Sequence, residues 1–372
     1  MKPLTLVFDA NPIAYSKKSG IGYYTQNLIT ALAQQYPQDI QIIGYYFNFL
    51  GRKNPDLPQY NNLSYRSIQW FPGTGVYYLR RMGINPPLKW FVSDKPDALF
   101  FPNFLTLPYS LSVPTLVTIH DLAYLERPEY VNSRDARLLK EYVPLSVDQA
   151  DIIMTVSRFT RDKVQTYYNL DQKDMELTPV APPEPIPATE NPIDKPYVLF
   201  VGNIEPRKNI HGLLKAYTKL SQELRAKYRL VLAGNSTHQE INHHIQCLQE
   251  QGYDIQTTGY ISDQEKANLY THCSLFVLPS YYEGFGMPIL EAMSYGAPTL
   301  VSDLEVFREI TFGKSHFCKS SSAEDIADNI ACIVTDKEYS QHLREQGYWV
   351  VDQYQWSQIA QDFFQSIQRI IH

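Results

Sequence analysis

Two carboxylates flank a glycine-rich turn in the second half of the chain. Glu283 and Glu291 stand eight positions apart in the segment YYEGFGMPILEAM, residues 281–293. The preceding run SLFVLPS has the composition of a buried strand, and Pro288 suits the first position of a following helix. We therefore expect Glu283 in the loop that leaves the strand and Glu291 about one turn inside the helix.

The turn between these carboxylates predicts an anion site. Gly284 and Gly286 let the backbone approach a ligand closely. Phe285 and Met287 belong to the same loop, which leads into the helix. The N–H groups at a helix N-terminus carry about half a unit of positive charge, which attracts phosphate. A carboxylate on each side could accept hydrogen bonds from a ribose and from a second sugar. For a single Glu, a loop charge or a helix-dipole partner is the commoner role.

Two adjacent cations follow another predicted strand. Arg207 and Lys208 come after the run YVLFVGN. Cations at the carboxyl end of a strand can stabilise a departing diphosphate, on which negative charge develops as a glycosidic bond breaks. Two exposed basic residues without other signals would be ordinary.

The first half of the chain contributes a histidine and a glycine pair. His120 ends the β-branched run TLVTIHD, where a neutral imidazole could accept a hydrogen bond from a sugar hydroxyl, although a lone histidine is more often structural. Gly20 and Gly22 in SGIGYY match part of a dinucleotide fingerprint but lack its third glycine, and alone they are weak evidence. Their position between a strand and a helix strengthens the interpretation.

A proline-rich segment divides the chain into two α/β patterns. Residues 179–196 contain seven prolines and predict an extended linker. On each side, short β-rich runs alternate with amphipathic segments, which is typical of parallel-sheet domains. We predict two Rossmann-like domains, at 1–178 and 197–352, followed by a C-terminal helix at 353–372.

Twelve runs are predicted to be strands because they are short and rich in β-branched or apolar residues. They are LTLVFDA, IQIIGYYF, LSYRSIQW, DALFF, TLVTIH and DIIMTV in the first half, and YVLFVG, YRLVLAG, DIQTTGY, SLFVLPS, PTLVSD and SHFCK in the second. Helices are predicted after GIG, at DARLLKEYVPLSVDQA, after Ser157 as N-cap, at NIHGLLKAYTKLSQEL and at DQEKANLYTHC.

Composition excludes several classes of protein. At 372 residues the chain exceeds the size of a single core, and a net charge of -6 argues against a general nucleic-acid partner. The four cysteines are widely spaced and form no metal or disulfide pattern. No Asp-x-Asp pair is present to hold a diphosphate through a divalent metal, so we expect neither a metal nor another cofactor.

The chain shows no signal for membrane insertion. Its amino terminus reaches Asp9 before an apolar signal-peptide core could form, and prolines break the longest apolar stretch, ALFFPNFLTLPYSLSVPTLVTI. We therefore expect a cytoplasmic protein.

One segment is strongly basic. Residues 51–91 hold six Lys and Arg against Asp56 alone, a local balance of 6 - 1 = +5. A solvated charged face is the commoner explanation of such a segment. Because YYLRRMGINPPLKWF interleaves these charges with aromatic residues, peripheral attachment to an anionic membrane at its inner face is the alternative.

Several motifs together resemble one known family. EGFGMPILE, with two Glu separated by seven residues, resembles the hallmark of retaining family 4 glycosyltransferases, which have the GT-B fold. VGNIEPRKNIHGLLKAY is similar to the donor-phosphate segment of that family, KKSGIGYYTQNL to its glycine loop, and TIHDL to its active-site histidine segment. TTGYISDQEKANLY, YGAPTLVSD and AEDIADNI follow in the family order. The resemblance covers nearly the whole chain and is strongest over residues 197–302.

The resemblance implies two domains that face each other across a cleft. The C-terminal domain, 197–352, would mainly bind a nucleoside diphosphate sugar as donor, and the N-terminal domain, 1–178, would bind a glycan or lipid-linked acceptor. His120 and Glu283 would contact the reacting sugar. The acceptor hydroxyl would attack the face that the diphosphate leaves, with retention at the anomeric carbon. The implied donor-binding residues are Gly20, Gly22, Arg207, Lys208, Tyr260, Ile261, Gly284, Phe285, Gly286, Met287 and Glu291.

The resemblance also implies that the C-terminal helix crosses back to the first domain. In SQIAQDFFQSIQRIIH the apolar residues have a spacing suited to such packing. They are Ile359, Phe363, Phe364, Ile367 and Ile370.

The sequence is compatible with more than one donor sugar and more than one acceptor. SGIGYYTQNL and IHDL resemble mannosyltransferase-type members and favour GDP-mannose, with a UDP sugar as the alternative. Tyr23 stands where family members often have Arg, and the Pro-Glu pair expected after VSD is absent, which bears on the acceptor. An epimerase or phosphorylase on the same fold and an inactive nucleotide-sugar-binding protein are the other readings. A nicotinamide dehydrogenase is disfavoured because G-x-G-x-x-G is absent.

Overall fold

The computed structural model divides into two compact units. Unit 1 comprises Met1–Val180 and Gln355–His372, and unit 2 comprises Ala181–Tyr354. The structure describes residues 2–15, 19–108, 113–170 and 174–371. No described helix combines the length and the apolar character that crossing a membrane requires.

Unit 1 contains a parallel sheet of seven strands in the order β3-β2-β1-β4-β5-β6-β7. Its strands are β1 (Leu4–Asp9), β2 (Ile40–Phe47), β3 (Leu63–Ile68), β4 (Ala98–Phe101), β5 (Thr115–Ile119), β6 (Ile152–Thr155) and β7 (Asp174–Leu177). The first six are the predicted ones. β7 was not predicted because its sequence, DMEL, lies at the sheet edge, partly exposed, and lacks the apolar run of a strand covered on both faces.

Six α-helices accompany this sheet in the described part of unit 1. They are α1 (Gly20–Gln35), α2 (Gly73–Arg81), α3 (Ala123–Glu126), α4 (Ser133–Gln149), α5 (Arg158–Tyr168) and α14 (Trp356–Ile371). The predicted N-cap of α5 is confirmed, since Ser157 Oγ accepts the Thr160 N–H at 3.0 Å. The expected glycine loop before α1 is corrected. Ser19 Oγ accepts the Gly22 N–H at 3.4 Å as the N-cap, so Gly20 and Gly22 form the first turn of the helix.

The C-terminal helix α14 packs against α1 in unit 1. The Phe363 ring lies 4.7 Å from that of Phe100, and the Phe364 ring stacks on Tyr36 at 4.1 Å. Ile359 and Ile367 are also buried, and one face of the helix is therefore part of the unit 1 core.

Unit 2 contains a parallel sheet of six strands in the order β10-β9-β8-β11-β12-β13. Its strands are β8 (Tyr197–Val201), β9 (Arg229–Ala233), β10 (Ile255–Gly259), β11 (Leu275–Leu278), β12 (Thr299–Ser302) and β13 (His316–Cys318), all of them predicted. Both sheets reverse their strand order between the first and fourth strands of the unit, between β1 and β4 and between β8 and β11. Such switch points are where ligands bind in open α/β sheets.

Eight α-helices accompany the second sheet. They are α6 (Ile210–Lys219), α7 (Gln222–Lys227), α8 (Gln239–Glu250), α9 (Asp263–His272), α10 (Met287–Ser294), α11 (Glu305–Ile310), α12 (Ala323–Thr335) and α13 (Lys337–Asp352). The segment predicted as one helix, NIHGLLKAYTKLSQEL, divides into α6 and α7. α6 ends at Lys219 with Leu220 as its C-cap, and Ser221 caps α7 by accepting the Leu224 N–H at 3.3 Å.

The proline-rich segment contains neither helix nor strand over residues 178–196. Its later part lies on unit 2, where the Thr189 N–H donates to Asn268 Oδ1 at 2.9 Å and Ile193 is buried.

Candidate functional site

Two loops meet at the switch point of unit 2. One leaves β8 and contains Arg207 and Lys208, and the other leaves β11 and contains Glu283. The Tyr281 N–H donates to the Arg207 carbonyl at 2.9 Å, which joins the loops directly. The sheet order thus brings Glu283 to Arg207 and Lys208, which precede it by 76 and 75 positions in the chain.

Glu283 is held between the two cations. Arg207 Nη1 lies 2.5 Å from Glu283 Oε2, while Lys208 Nζ and Ser280 Oγ both donate to Oε1, the latter at 2.9 Å. Glu283 is 6% exposed and Lys208 7%, so this ion pair is almost shielded from water. Such a buried carboxylate is stable only because every charge near it has a partner.

The electrostatics of this cluster follow from burial and charge. Burial disfavours ionisation of Glu283, but Arg207 and Lys208 outweigh it and lower the Glu283 pKa from 4.5 to about 2. Burial lowers the pKa of the Lys208 ammonium, the adjacent Arg207 adds to this, and Glu283 opposes it. Glu283 is therefore fully ionised at neutral pH.

Arg207 is fixed by a second carboxylate that sequence reasoning missed. Glu205 Oε1 accepts Arg207 Nη2 at 2.9 Å and Nε at 3.2 Å, and Arg207 Nη1 also donates to the Tyr282 carbonyl at 3.0 Å. These contacts define the plane of the guanidinium. The signal available in the sequence was the position of Glu205 only two residues before Arg207.

The turn after Glu283 opens α10. Gly286 is the N-cap with φ 114, a backbone conformation that favours glycine, and a Cβ there would lie 2.7 Å from the Phe307 ring. Pro288 occupies the second helical position rather than the predicted first, because Met287 already begins the helix. Gly284 and Phe285 are buried, with the Phe285 ring edge-on to Tyr354 at 6.1 Å. The Phe285 side chain therefore packs inside unit 2.

Glu291 forms a cluster of its own. It is 3% exposed inside α10, and its carboxylate accepts Lys266 Nζ at 2.9 Å and the Tyr270 hydroxyl at 3.1 Å. Lys266 and Tyr270 come from α9, and no role was predicted for either. The two carboxylates of the motif are thus paired with different cations, Glu283 with Arg207 and Lys208 and Glu291 with Lys266.

Tyr260 and Ile261 follow β10 and precede the Ser262 N-cap of α9. Tyr260 is 52% exposed. β9 and β8 separate β10 from β11, so Tyr260 and Ile261 share a sheet edge with the Glu283 cluster without belonging to it.

His120 belongs to unit 1 and directly follows β5. Its Nε2 lies 2.7 Å from the Pro102 carbonyl, and its ring is edge-on to Tyr24 at 5.1 Å and tilted against Phe104 at 5.6 Å. Burial lowers the pKa of His120 to about 4, although the hydrogen bond to Pro102 opposes this. Because a carbonyl only accepts, Nε2 carries the proton and Nδ1 keeps a lone pair.

The first turn of α1 lies close to His120 through Tyr24. The Tyr24 hydroxyl donates to Thr178 Oγ1 at 3.0 Å and shares a hydrogen bond with Thr118 Oγ1 at 3.1 Å. Gly20 and Gly22 thus stand four and two residues before Tyr24, which contacts His120. Over the part of the chain that the structure describes, no three His, Cys, Asp or Glu side chains are grouped to hold a metal ion.

Comparisons with known proteins agree with this architecture. The model of "Glycosyltransferase Family 4" matches residues 18–181, and that of "Glycosyl transferases group 1" matches 184–350. O-antigen chain mannosyltransferase B of Escherichia coli is 28% identical over 95% of this chain and 96% of its own.

Two solved structures share the fold. Sucrose-phosphate synthase from Thermosynechococcus elongatus superposes with a TM-score of 0.73 at 18% identity, covering 100% of this chain and 99% of the other. Anabaena Alr3699/HepE, solved in complex with UDP and glucose, gives a TM-score of 0.67 at 13% identity, covering 98% of this chain and 100% of its own.

Proposed function

Because the chain belongs to the glycosyltransferases, with a family 4 domain followed by a group 1 domain, we propose that it is a retaining hexosyltransferase. It moves a hexose from a nucleoside diphosphate sugar to a hydroxyl of a glycan, a polysaccharide or a lipid-linked oligosaccharide. The bond between the anomeric carbon and the donor phosphate oxygen breaks, and a bond from that carbon to the acceptor oxygen forms. The acceptor proton passes to the leaving phosphate oxygen.

The observation that carries this proposal is the buried Glu283 between Arg207 and Lys208 at a switch point. The two cations bind the diphosphate and stabilise the charge that develops on it, without a metal. Glu283 positions the transferred sugar and stabilises positive charge at its anomeric carbon. Its depressed pKa keeps it anionic throughout the neutral range.

The other site residues have supporting roles in this proposal. Glu291 accepts hydrogen bonds from the ribose, and the backbone of Gly284, Gly286 and Met287 lies against the donor. His120 is neutral at pH 7, so its Nδ1 can accept a hydrogen bond from a hydroxyl of the transferred sugar.

For the donor we propose GDP-mannose. The support is the name of the E. coli relative, a mannosyltransferase, together with its coverage of almost the whole chain. A UDP sugar is the second candidate, favoured by the UDP and glucose in the Alr3699/HepE complex.

The test is nucleotide release from a panel of GDP and UDP sugars, with and without mannoside acceptors, and NMR of the new anomeric linkage. Glu283→Gln is expected to lose transfer and to keep diphosphate binding, whereas Lys208→Met loses both. Glu338→Gln, on an exposed residue, is the matched control. Wild-type transfer rates in Glu283→Gln would contradict the assigned role. Turnover that needs no acceptor would favour an epimerase, and no turnover with any donor would favour an inactive binding protein.

We also propose that unit 1 makes peripheral contact with anionic membranes. Five large side chains are strongly exposed in the basic segment: Trp70 62%, Tyr78 61%, Met82 66%, Ile84 44% and Trp90 52%. Arg52, Arg81 and Lys89 are also exposed in this segment, so it presents both aromatic and cationic groups to solvent. Arg80 is excluded from this surface because it is 5% exposed.

Sedimentation with phosphatidylglycerol vesicles tests the membrane contact. Arg81→Glu with Lys89→Glu should abolish binding, and salt should weaken binding of the wild type. Lys227→Glu with Lys337→Glu changes the same charge at exposed positions of unit 2 and should bind normally. Failure of the wild type to sediment with the vesicles would reject the contact.

A further inference from the structure

A mixed-charge cluster lies at the carboxyl ends of β1 and β2, next to the switch point between β1 and β4 in unit 1. Asp9 ends β1, and Tyr45 is its neighbour in register on β2. Arg80 from α2 and Lys53 from the loop after β2 influence the Asp9 carboxylate electrostatically. None of these residues has a role in the donor chemistry proposed above.

Among the described residues, only one carboxylate oxygen of Asp9 accepts hydrogen bonds from the protein. Asp9 Oδ1 accepts the Asn11 N–H at 2.9 Å and Asn11 Nδ2 at 2.6 Å, and Asn11 Oδ1 in turn accepts the Phe47 N–H at 3.0 Å. Within the described residues, Oδ2 has no hydrogen bond and Asp9 has no cation within 4.0 Å. An acceptor-only oxygen is therefore left for a hydroxyl or N–H donor.

The surrounding groups are also incompletely paired. Arg80 is 5% exposed; it donates to Asn85 Oδ1 at 3.1 Å and to the Thr106 carbonyl, with no carboxylate within 4.0 Å in the described part of the chain. Tyr45 is 1% exposed, and its hydroxyl has no hydrogen-bond partner among those residues. Buried polar groups left in this state cost stability and point to a functional site.

The ionisation state of Asp9 suits the binding of a hydrogen-bond donor. Burial raises the pKa of Asp9 to about 6, while the hydrogen bonds from Asn11 and the charges of Arg80 and Lys53 oppose the shift. A carboxylate that stays ionised at neutral pH in this setting is a strong hydrogen-bond acceptor. The loops at such a switch point are where a parallel sheet binds its ligand.

We infer that Asp9 forms a saccharide subsite in unit 1, in which Oδ2 accepts a hydrogen bond from a hydroxyl of the acceptor sugar. Arg80 and Lys53 keep the carboxylate ionised when the saccharide covers it. The inference rests on the proposed function for the identity of the saccharide as acceptor.

The Asp9→Asn variant tests saccharide binding while it preserves the local structure. The amide oxygen can still accept from Asn11, so the turn after β1 is kept, but the charge and the second acceptor are lost. The probes are methyl α-D-mannoside, methyl α-D-glucoside and methyl α-D-galactoside. Asp9→Asn should weaken binding of the best probe by about tenfold or more, the value of a hydrogen bond to a charged group. Asp39→Asn, on an exposed residue of unit 1, should bind it as the wild type does.

Saturation-transfer NMR measures probe binding without turnover, and the same probe is then titrated in the transfer assay. The acceptor KM should rise in Asp9→Asn, with a much smaller change in kcat and normal affinity for nucleoside diphosphate. In the wild type, probe binding should weaken as pH falls through 6, and Asp9→Asn should lack this dependence.

The outcomes distinguish the subsite from the proposed function. Equal probe affinity in Asp9→Asn and wild type overturns the subsite, as does a wild type that binds none of the three probes. Parallel loss of probe binding and nucleotide binding shows a purely structural Asp9 and also overturns it. Asp9-dependent probe binding in a protein that transfers no sugar rejects the proposed function and keeps the subsite.

Discussion

Replacing Glu283 with Gln should destabilise the protein at neutral pH, because it removes the charge that the two cations surround. The Glu283 pKa falls from 4.5 to about 2 on folding, and such a shift corresponds to about 3 kcal/mol of stability. Removing one partner of a buried ion pair costs about 3 to 5 kcal/mol because the other charge stays buried. Both arguments predict a loss of about 3 kcal/mol or more.

The direction of the Glu283 pKa shift determines how this loss of stability depends on pH. A carboxylate with a depressed folded pKa stabilises the fold above 4.5, and this contribution disappears as pH falls towards 2. The difference in free energy of unfolding between wild type and Glu283→Gln should therefore be largest near pH 7 and shrink below pH 4.5. Urea denaturation followed by circular dichroism at several pH values measures it.

Nucleoside diphosphate should partly restore the stability of the Glu283→Gln variant. Without Glu283, Arg207 and Lys208 lack a counter-charge, so the diphosphate should bind more tightly and raise the melting temperature more than in wild type. Lys208→Met combined with Glu283→Gln should be more stable than the sum of the single losses predicts. The exposed control Glu338→Gln should change stability by less than about 0.5 kcal/mol. A Glu283→Gln protein as stable as this control at pH 7 would refute the reasoning.

Three further predictions concern the scaffold and the unit 1 cluster. Gly286→Ala should destabilise unit 2 and weaken nucleotide binding, because its φ is 114 and its Cβ would lie 2.7 Å from Phe307; calorimetry that shows normal nucleotide affinity would contradict this. Deletion of residues 355–372 removes the α14 face buried on unit 1 and should cause aggregation, with raised binding of a hydrophobic dye; a monomeric product with normal melting would count against it. Asp9→Asn should gain about 1 to 3 kcal/mol of stability at pH 8, because a raised folded pKa means that ionisation opposes folding above pH 3.8. The gain should vanish below that pH, and a pH-independent difference in urea denaturation would oppose the idea.

Sequence patterns sufficed for most of the scaffold. Most strands are short runs rich in apolar or β-branched residues, so twelve of the thirteen described strands could be located, whereas β7 was missed because DMEL has two acids among four residues and no β-branched residue. The motif around Glu283 was equally visible, since glycine, proline and carboxylate at fixed spacing encode a local turn and helix start. Gly20 and Gly22 were misplaced because glycine suits a loop and a first helical turn alike, and the Ser19 cap decides between them.

The chemistry of the site depended on contacts that no local pattern contains. Lys208 meets Glu283 across 75 positions because β8 and β11 are neighbours in the sheet. Glu291 pairs with Lys266 instead. The hydrogen bond to the Pro102 carbonyl fixes the tautomer of His120. Local sequence specifies secondary structure through periodicity and backbone preference. The partner, the burial and hence the pKa of each charged group depend on which loops the strand crossovers bring to the same edge.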